Sequence, residues 1–296
     1  MPDRASRSRK ITAPGGRALL ALGALLALAA PDVAAHQEIL DQLADLNERI
    51  EKQPGAAALY LERGEVHRIH RDWDAAAADY RVARELSPDL TLVDFCWGRM
   101  KLEAGQPDEA VSALSRYLSQ RPDEGAALEV RGRARLALAQ YGAAAGDFER
   151  ALQLTPEGAR PSLHLLLEHA RAQVAAGEPA AALQGLDEGL ARLGGAITLE
   201  LEALALEREL GRTDAALARL QRLAGAAQRP EPWLVRKGVI LEQAGRAAEA
   251  RQAYRQAREG LQALPRHVQA RGSLVQLADE IEEALRRLPT TGDGDG

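Results

Sequence analysis

The sequence predicts an all-α protein in which short helices pair and stack as a solenoid. Small residues recur every 34 residues along much of the chain, and the apolar residues between them follow helical spacing. Hydrophobic residues make up 46% of the chain and aromatic residues only 3%. An interior built mainly from Ala, Leu and Val favours close helix packing over sheet, and internal repetition at this interval is typical of a solenoid.

The first 35 residues have the layout of a secretory signal peptide. Basic residues precede the apolar run Ala18 to Ala30, which is too short to cross a bilayer as an ordinary helix. Val33 and Ala35 are the small residues before a predicted cut at His36. We therefore expect a periplasmic or secreted protein, cleaved near Ala35, with no stable membrane span in the mature chain. Retention of this segment as an anchor is the alternative.

Cleavage would make the chain more acidic. Residues 1–35 contain five Lys or Arg and two Asp or Glu, so their removal changes the formal net charge from −5 to −8. An exported acidic chain is a poor candidate for nucleic-acid binding. Cys96 is the only cysteine, so it has no partner for an internal disulfide, and we expect a buried apolar thiol.

Six repeats follow a first flanking segment. Gly64, Gly98 and Gly132 are spaced by 34 residues, and alanines twelve positions later keep the same spacing. The step from Ala144 to Ala182 is 38 residues, which places an insertion of about four residues in the 157–162 stretch. The predicted repeats are residues 57–90, 91–124, 125–158, 163–196, 197–230 and 231–264.

The recurring small residues have a packing reason. Where two short helices pack antiparallel, a Gly or Ala at the crossing lets the backbones approach closely, and a larger side chain forces them apart. Bulkier residues four positions after each repeated Ala are predicted to fill the space between repeats: Tyr80, Leu114, Phe148, Leu186, Leu220 and Tyr254. Prolines near the ends of several second helices stop those helices before the next repeat.

This skeleton resembles the tetratricopeptide repeat, a 34-residue helix–turn–helix with small and bulky residues at fixed offsets. The first repeat matches at Tyr60, Gly64, His67, Ala76, Tyr80, Ala83 and Pro88, and the third at Leu128, Gly132, Ala144, Phe148, Ala151 and Pro156. The resemblance covers about residues 57–264 and implies a right-handed α-solenoid. Repeat five departs from the pattern at Glu200 and Leu204, so its first helix is expected to be rotated or displaced.

A flanking helix is predicted at each end of the repeats, because a solenoid needs terminal elements with one polar face. Residues 36–56 form the N-terminal capping helix, with Ile39, Leu40, Leu43, Leu46 and Ile50 on one face. Residues 265–289 form the C-terminal capping helix. The tail, residues 290–296, is expected to be disordered.

In the resembled family the first helix of each repeat lines a concave groove that holds a peptide or a partner helix. Its second, fifth, ninth, twelfth and thirteenth places face the groove. In this sequence the ninth place holds Glu65, Arg99, Arg133, Arg171, Ala205 and Val239, and the fifth place includes Leu61, Phe95, Glu129, Leu167 and Leu201. These places are therefore the predicted partner-binding surface.

Three arginines in consecutive repeats predict a preference for an acidic or C-terminal peptide, because guanidinium groups bind carboxylates in a bidentate fork. The alternative is a solvated face on which these arginines pair with glutamates of their own helices. Glu129 is four residues before Arg133, and Glu103 is four residues after Arg99, which is the spacing of such pairs.

His67, His70 and Trp73 occur close together in the first repeat. The repeat register assigns His67 and Trp73 to packing and His70 to the turn. A metal site is the alternative, because a cut after Ala35 would give His36 a free amine beside its imidazole. This amine, with the three imidazoles, would be a competent ligand set for Cu(II) or Zn(II).

No nucleophile elbow, P-loop, Rossmann glycine pattern or standard zinc spacing occurs in the sequence. We therefore predict no catalytic residues and no cofactor. The sequence predicts a non-catalytic scaffold for protein–protein interaction that holds a peptide or protein partner in the groove. The alternatives are a periplasmic Cu- or Zn-binding protein and a subunit that docks a neighbouring hydrolase.

Overall fold

A computed structural model describes residues 37–156 and 158–289 of the chain. The predicted signal peptide, His36 and the predicted disordered tail lie outside these residues. The described part contains fifteen helices, the first of which, α1, spans residues 37–52. The others are α2 (Ala57–Ile69), α3 (Trp73–Leu86), α4 (Leu92–Glu103), α5 (Pro107–Gln120), α6 (Gly125–Ala137), α7 (Tyr141–Gln153), α8 (Leu163–Ala175), α9 (Pro179–Leu193), α10 (Ile197–Glu209), α11 (Thr213–Ala226), α12 (Glu231–Gln243), α13 (Ala247–Gln262), α14 (Arg266–Gln269) and α15 (Gly272–Arg287).

The predicted fold class is confirmed, because the described residues form only helices and turns and the helices follow one another in pairs. Each pair from α2–α3 to α12–α13 packs its two helices together. The chain divides into an N-terminal body, ending at Gln120, and a C-terminal body, beginning at Arg121. The described N-terminal body holds α1 to α5, and the C-terminal body holds α6 to α15.

One turn geometry joins the two helices of every repeat. In each turn one residue has a left-handed backbone, and it is a glycine in four repeats. The residues are Arg71, Gly105, Ala139, Gly177, Gly211 and Gly245. The N–H of the following residue donates to a carbonyl five residues earlier, as Gln140 does to Arg135 at 2.9 Å, which closes the helix in a Schellman motif. Arg71 and Ala139 hold this conformation against the steric clash of a β-carbon.

The repeated alanines occupy the most tightly packed positions. The six predicted residues, Ala76, Ala110, Ala144, Ala182, Ala216 and Ala250, are each 0% exposed. The bulkier residues four positions later are also buried, as predicted. They were expected between repeats, but Tyr80, Phe148 and Tyr254 pack against a glycine of the first helix in their own repeat. A methyl group fits at these crossings and a larger side chain does not.

The two ends of the repeats differ from the predicted pattern. Of the apolar residues predicted to share one face of α1, Leu46 and Ile50 are buried, but Leu40 is 46% exposed. The segment 265–289 does not form a single helix, because it divides into the short α14 and the longer α15. Arg271, between them, has an extended backbone with ψ of 133°, and Gly272, a weak helix former, opens α15. No described helix has both the length and the apolar character that a membrane span requires.

Candidate partner-binding surfaces

In the N-terminal body, the ninth-place residues Glu65 and Arg99 form an ion pair between α2 and α4. Arg68 also donates to Glu65, and it pairs with Glu103 at 2.6 Å. Glu103 therefore does not serve as the partner of Arg99 that the sequence spacing suggested. The carboxylate of Glu65 also accepts a 2.5 Å hydrogen bond from the Tyr80 hydroxyl. Its negative charge is neutralised by groups of the same body.

The surroundings of this network are apolar. The Arg99 guanidinium lies 5.4 Å from the centre of the Phe95 ring, where a cation–π contact holds it. Burial, followed by the bond to Glu65, raises the pKa of Tyr80, so its hydroxyl stays protonated and donates. Burial also raises the pKa of the Cys96 thiol to about 12, which confirms the predicted buried thiol. Leu61, predicted to face a partner, is only 7% exposed and packs in the core of this body.

In the C-terminal body, Arg133 is held by two carboxylates. It donates to Glu168 of α8 at 2.8 Å and to Glu129 of its own helix at 3.1 Å. The bond to Glu168 is the main reason that the pKa of Arg133 is raised. The predicted pairing of Glu129 with Arg133 is therefore present, and a second carboxylate from the next repeat completes it.

Arg171 has the most exposed side chain of the three predicted arginines. Its side chain is 65% exposed, against 32% for Arg99 and 34% for Arg133. Its guanidinium lies 3.6 Å from the carboxylate of Glu202 on α10. An ion pair this long and this exposed contributes little to the stability of the fold. Arg171 therefore has the greatest capacity of the three to bind an external carboxylate.

Two clefts adjoin one another along the first helices of repeats four, five and six. The first, of about 300 Å³, lies between α8 and α10 and is lined by Leu167, Arg171, Val174 and Ala205, among others. The second, of about 320 Å³, lies between α10 and α12 and is lined by Leu201, Ala205, Arg208, Val235 and Val239, among others.

The exposed residue Ala205 lines both clefts. The residues named above occupy fifth, ninth and twelfth places of their helices, which are places assigned to the ligand groove by the family resemblance. Apart from Arg171 and Arg208, these side chains are small or apolar, and Ala205 at the ninth place of α10 leaves room that a larger side chain there would fill.

The histidines of the opening repeat lie in ordinary structural positions. The half-buried His67 has its ring nitrogens 3.9 Å from carboxylate oxygens of Asp72 and Asp79, and His70 caps the end of α2. Within residues 37–156 and 158–289, no group of three His, Cys, Asp or Glu side chains is placed to hold a metal ion. Since His36 lies outside these residues, the copper or zinc alternative stays a prediction.

A buried arginine in repeat five was not predicted. The side chain of Arg219 on α11 is 4% exposed and pairs with Asp187, Glu200 and Glu207 at 2.7, 2.6 and 2.8 Å. These carboxylates hold the guanidinium charged inside the repeat, and their hydrogen bonds raise its pKa despite its burial. The departure at Glu200 therefore has a structural reason. The sequence did contain a signal for this buried cluster, because Glu200 is a charged residue at a place where the repeat pattern has a bulky one.

Comparison with known families and structures agrees with the repeat pattern. Residues 97–159 and 201–266 match the model of the tetratricopeptide repeat family. The comparison with curated proteins gives no match.

Among solved structures, a tetratricopeptide repeat protein from Parabacteroides merdae is 17% identical, with 85% of this chain and 95% of that chain covered and a TM-score of 0.49. PilW, described as a widely conserved type IV pilus biogenesis factor, is 20% identical, with 67% and 90% covered and a TM-score of 0.50. MamA is 18% identical, with 56% and 88% covered and a TM-score of 0.49.

The solved structures are too distant to indicate more than the fold. The family matches fall on repeats two, three, five and six, where the chain folds into the helix pairs described above, and they leave repeat four unmatched. The matched segments and the repeated helix pairs together make this chain similar to tetratricopeptide repeat proteins.

Proposed function

We propose that this protein is a non-catalytic scaffold that binds an extended segment of a partner protein along α8, α10 and α12. The observation that carries the proposal is the pair of adjoining clefts that share Ala205. Shallow apolar clefts with a few charged groups at their rims are typical of surfaces that bind peptide side chains.

The positions of the clefts determine the spacing of the partner's side chains. Packed helices are about 10 Å apart, so neighbouring clefts on either side of α10 are separated by about that distance. A segment in the polyproline II conformation advances about 3.1 Å per residue and points every third side chain to the same face. The partner segment therefore carries two apolar side chains three positions apart, one for each cleft.

The Arg171 guanidinium favours an acidic group beside the first apolar side chain, while Glu202 and Glu209 line the same cleft and restrict that preference to the Arg171 end. Arg171 lines the first cleft and has an exposed guanidinium. Arg99 and Arg133 are bound by Glu65 and Glu168 and serve mainly to hold neighbouring helices together. The acidic preference, in this proposal, depends on Arg171 rather than on all three arginines.

The proposed location is the periplasm or the exterior, on the basis of the sequence of residues 1–35. Fractionation of the native host and N-terminal sequencing of the mature chain test this part. A chain found in the cytoplasm with residue 1 intact would overturn it without affecting the proposed binding surface.

The binding surface is tested with Ala205→Trp, which fills both clefts, and with Ala143→Trp as the control. Ala143 is exposed on α7 and does not line either cleft. Partners are captured from a periplasmic extract of the native host, identified, and titrated against the purified variants. We expect Ala205→Trp to lose at least tenfold in affinity and Ala143→Trp to bind like the wild type. Equal yields and affinities for both folded variants would exclude the clefts as the site.

A further inference from the structure

Repeat four lacks an ion pair that repeats one and three share. In repeat one Arg63 donates to Asp79 at 2.6 Å, and in repeat three Arg131 donates to Asp147 at 2.7 Å. Both pairs join residues 16 apart, one on each helix of the repeat. The corresponding residues of repeat four are His169 and Gly185. A weaker base replaces the arginine, and no side chain replaces the aspartate.

A cavity of about 210 Å³ lies at this place, between α7, α8 and α9. His169 lines it and is only 8% exposed. A β-carbon built on Gly185 would lie 3.8 Å from both His169 Nδ1 and Gln173 Oε1, which is ordinary contact distance. The two side chains therefore border the space over Gly185. Neither His169 Nε2 nor Gln173 Oε1 has a hydrogen-bond partner in the described part of the chain.

The cavity is rich in hydrogen-bond acceptors and negative charge. Burial lowers the pKa of His169, so the imidazole is neutral near pH 7 and keeps one acceptor nitrogen. The carboxylates of Glu149 and Glu188, both exposed at the edge of the cavity, act to raise this pKa and partly offset the effect of burial. With the Gln173 oxygen, these groups favour a guest that donates hydrogen bonds and carries positive charge. Arg192, a cation that also lines the cavity, opposes such a guest.

We propose that this cavity binds an alkylammonium group, supplied by a free primary amine or by a lysine side chain of a partner. An ammonium group has three donors and no acceptor, which matches the Gln173 oxygen, the neutral His169 ring and the two carboxylates. Leu152 and Leu166 line the same cavity and contact the methylene chain. The site is distinct from the proposed clefts, because α7 and α9 contribute to it and α10 and α12 do not.

The test is a titration of the full chain with butylammonium, with butyrate as the probe of opposite charge. The imidazole C–H resonances of His169, assigned with the His169→Gln variant, report binding by NMR. We expect saturable shifts with butylammonium and none with butyrate. Equal response to both probes, or no saturable response to butylammonium, would overturn the proposal.

Two variants separate binding at this cavity from binding elsewhere. His169→Arg with Gly185→Asp recreates the ion pair of repeats one and three and fills the cavity, so butylammonium binding is lost. Glu149→Gln with Glu188→Gln keeps the cavity but removes two partly screened charges, and the affinity falls about fivefold. Because the first variant lacks the His169 resonances, isothermal titration calorimetry measures the affinity of both variants. Unchanged affinity in either folded variant contradicts the proposal.

The source of the ammonium group is distinguished by a third probe, Nα-acetyl-lysine amide. If this compound binds at least as tightly as butylammonium, the natural guest is a lysine side chain of a partner. If it binds more weakly while butylammonium still saturates, the guest is a free amine. Both outcomes support an ammonium site.

Discussion

A β-carbon added to Gly132 would lie 2.6 Å from Cε1 of the fully buried Phe148 ring, closer than side chains pack in proteins. The backbone of α6 therefore touches an aromatic ring of α7 directly. The same relationship joins Gly64 to Tyr80 at 2.5 Å. In repeat four the glycine is on the second helix and the bulky residue on the first, because a β-carbon on Gly189 of α9 would lie 2.8 Å from Leu166 of α8.

Substitution of Gly132 by alanine is expected to destabilise the C-terminal body. The added methyl group forces α6 and α7 apart or moves Phe148 from its rotamer, at about 1–3 kcal/mol. The matched control is Gly146→Ala on α7, where nothing lies within 4 Å of the new β-carbon and better helix propensity contributes about 1 kcal/mol of stability. Urea unfolding followed by circular dichroism measures both. A Gly132→Ala protein as stable as Gly146→Ala would contradict close backbone packing.

Ala139→Gly is expected to stabilise the protein. Ala139 has φ of 56° in the turn between α6 and α7, a left-handed conformation that costs a non-glycine residue about 1–2 kcal/mol. Part of this is offset by the greater freedom of glycine in the unfolded chain, which leaves a gain of about 0.5–1 kcal/mol. The same change at Ala143, on the exposed face of α7, should cost about 1 kcal/mol. Thermal unfolding of the two variants should therefore shift in opposite directions.

Arg219→Ala is expected to cost about 3–5 kcal/mol, because it leaves the 4% exposed Glu207 as a buried charge without its partner. Arg222→Ala, at an exposed position of the same helix, should change stability by less than about 0.5 kcal/mol. Adding Glu207→Gln to Arg219→Ala removes the unpaired charge and should recover part of the loss. If the double variant is no more stable than Arg219→Ala, the cost does not come from the buried carboxylate.

Stability should decrease as the pH falls below about 6.5 because of His169. Burial lowers its pKa in the folded protein from an ordinary value of 6.5, and the carboxylates of Glu149 and Glu188 only partly oppose this. Between the two pKa values the unfolded chain binds the proton more readily, so the stabilisation present above pH 6.5 is lost progressively on acidification. Paired comparison with His169→Gln between pH 7 and 5 isolates this contribution, since the variant cannot bind that proton. Parallel stability curves for the two proteins would show that His169 is not the group responsible.

Much of the fold was predictable, because its determinants are local. The turn chemistry repeats at every helix pair, and the small residues at the crossings recur at a fixed interval. The capping segments lack that repetition, so the break at Arg271 between α14 and α15 was missed. The cavity at His169 did have a signal, namely the change from Arg and Asp at residues 131 and 147 to His and Gly at 169 and 185.

By itself, the sequence determined the repeat length, the helix pairs and the residues that pack at each crossing, since these depend on contacts within one repeat. Only the tertiary structure decided which arginines remain accessible. Arg99 and Arg133 are bound by Glu65 and Glu168, which are 34 and 35 residues away and belong to neighbouring repeats. Spacing within a helix cannot choose among such partners, because the choice depends on how each helix packs on the next.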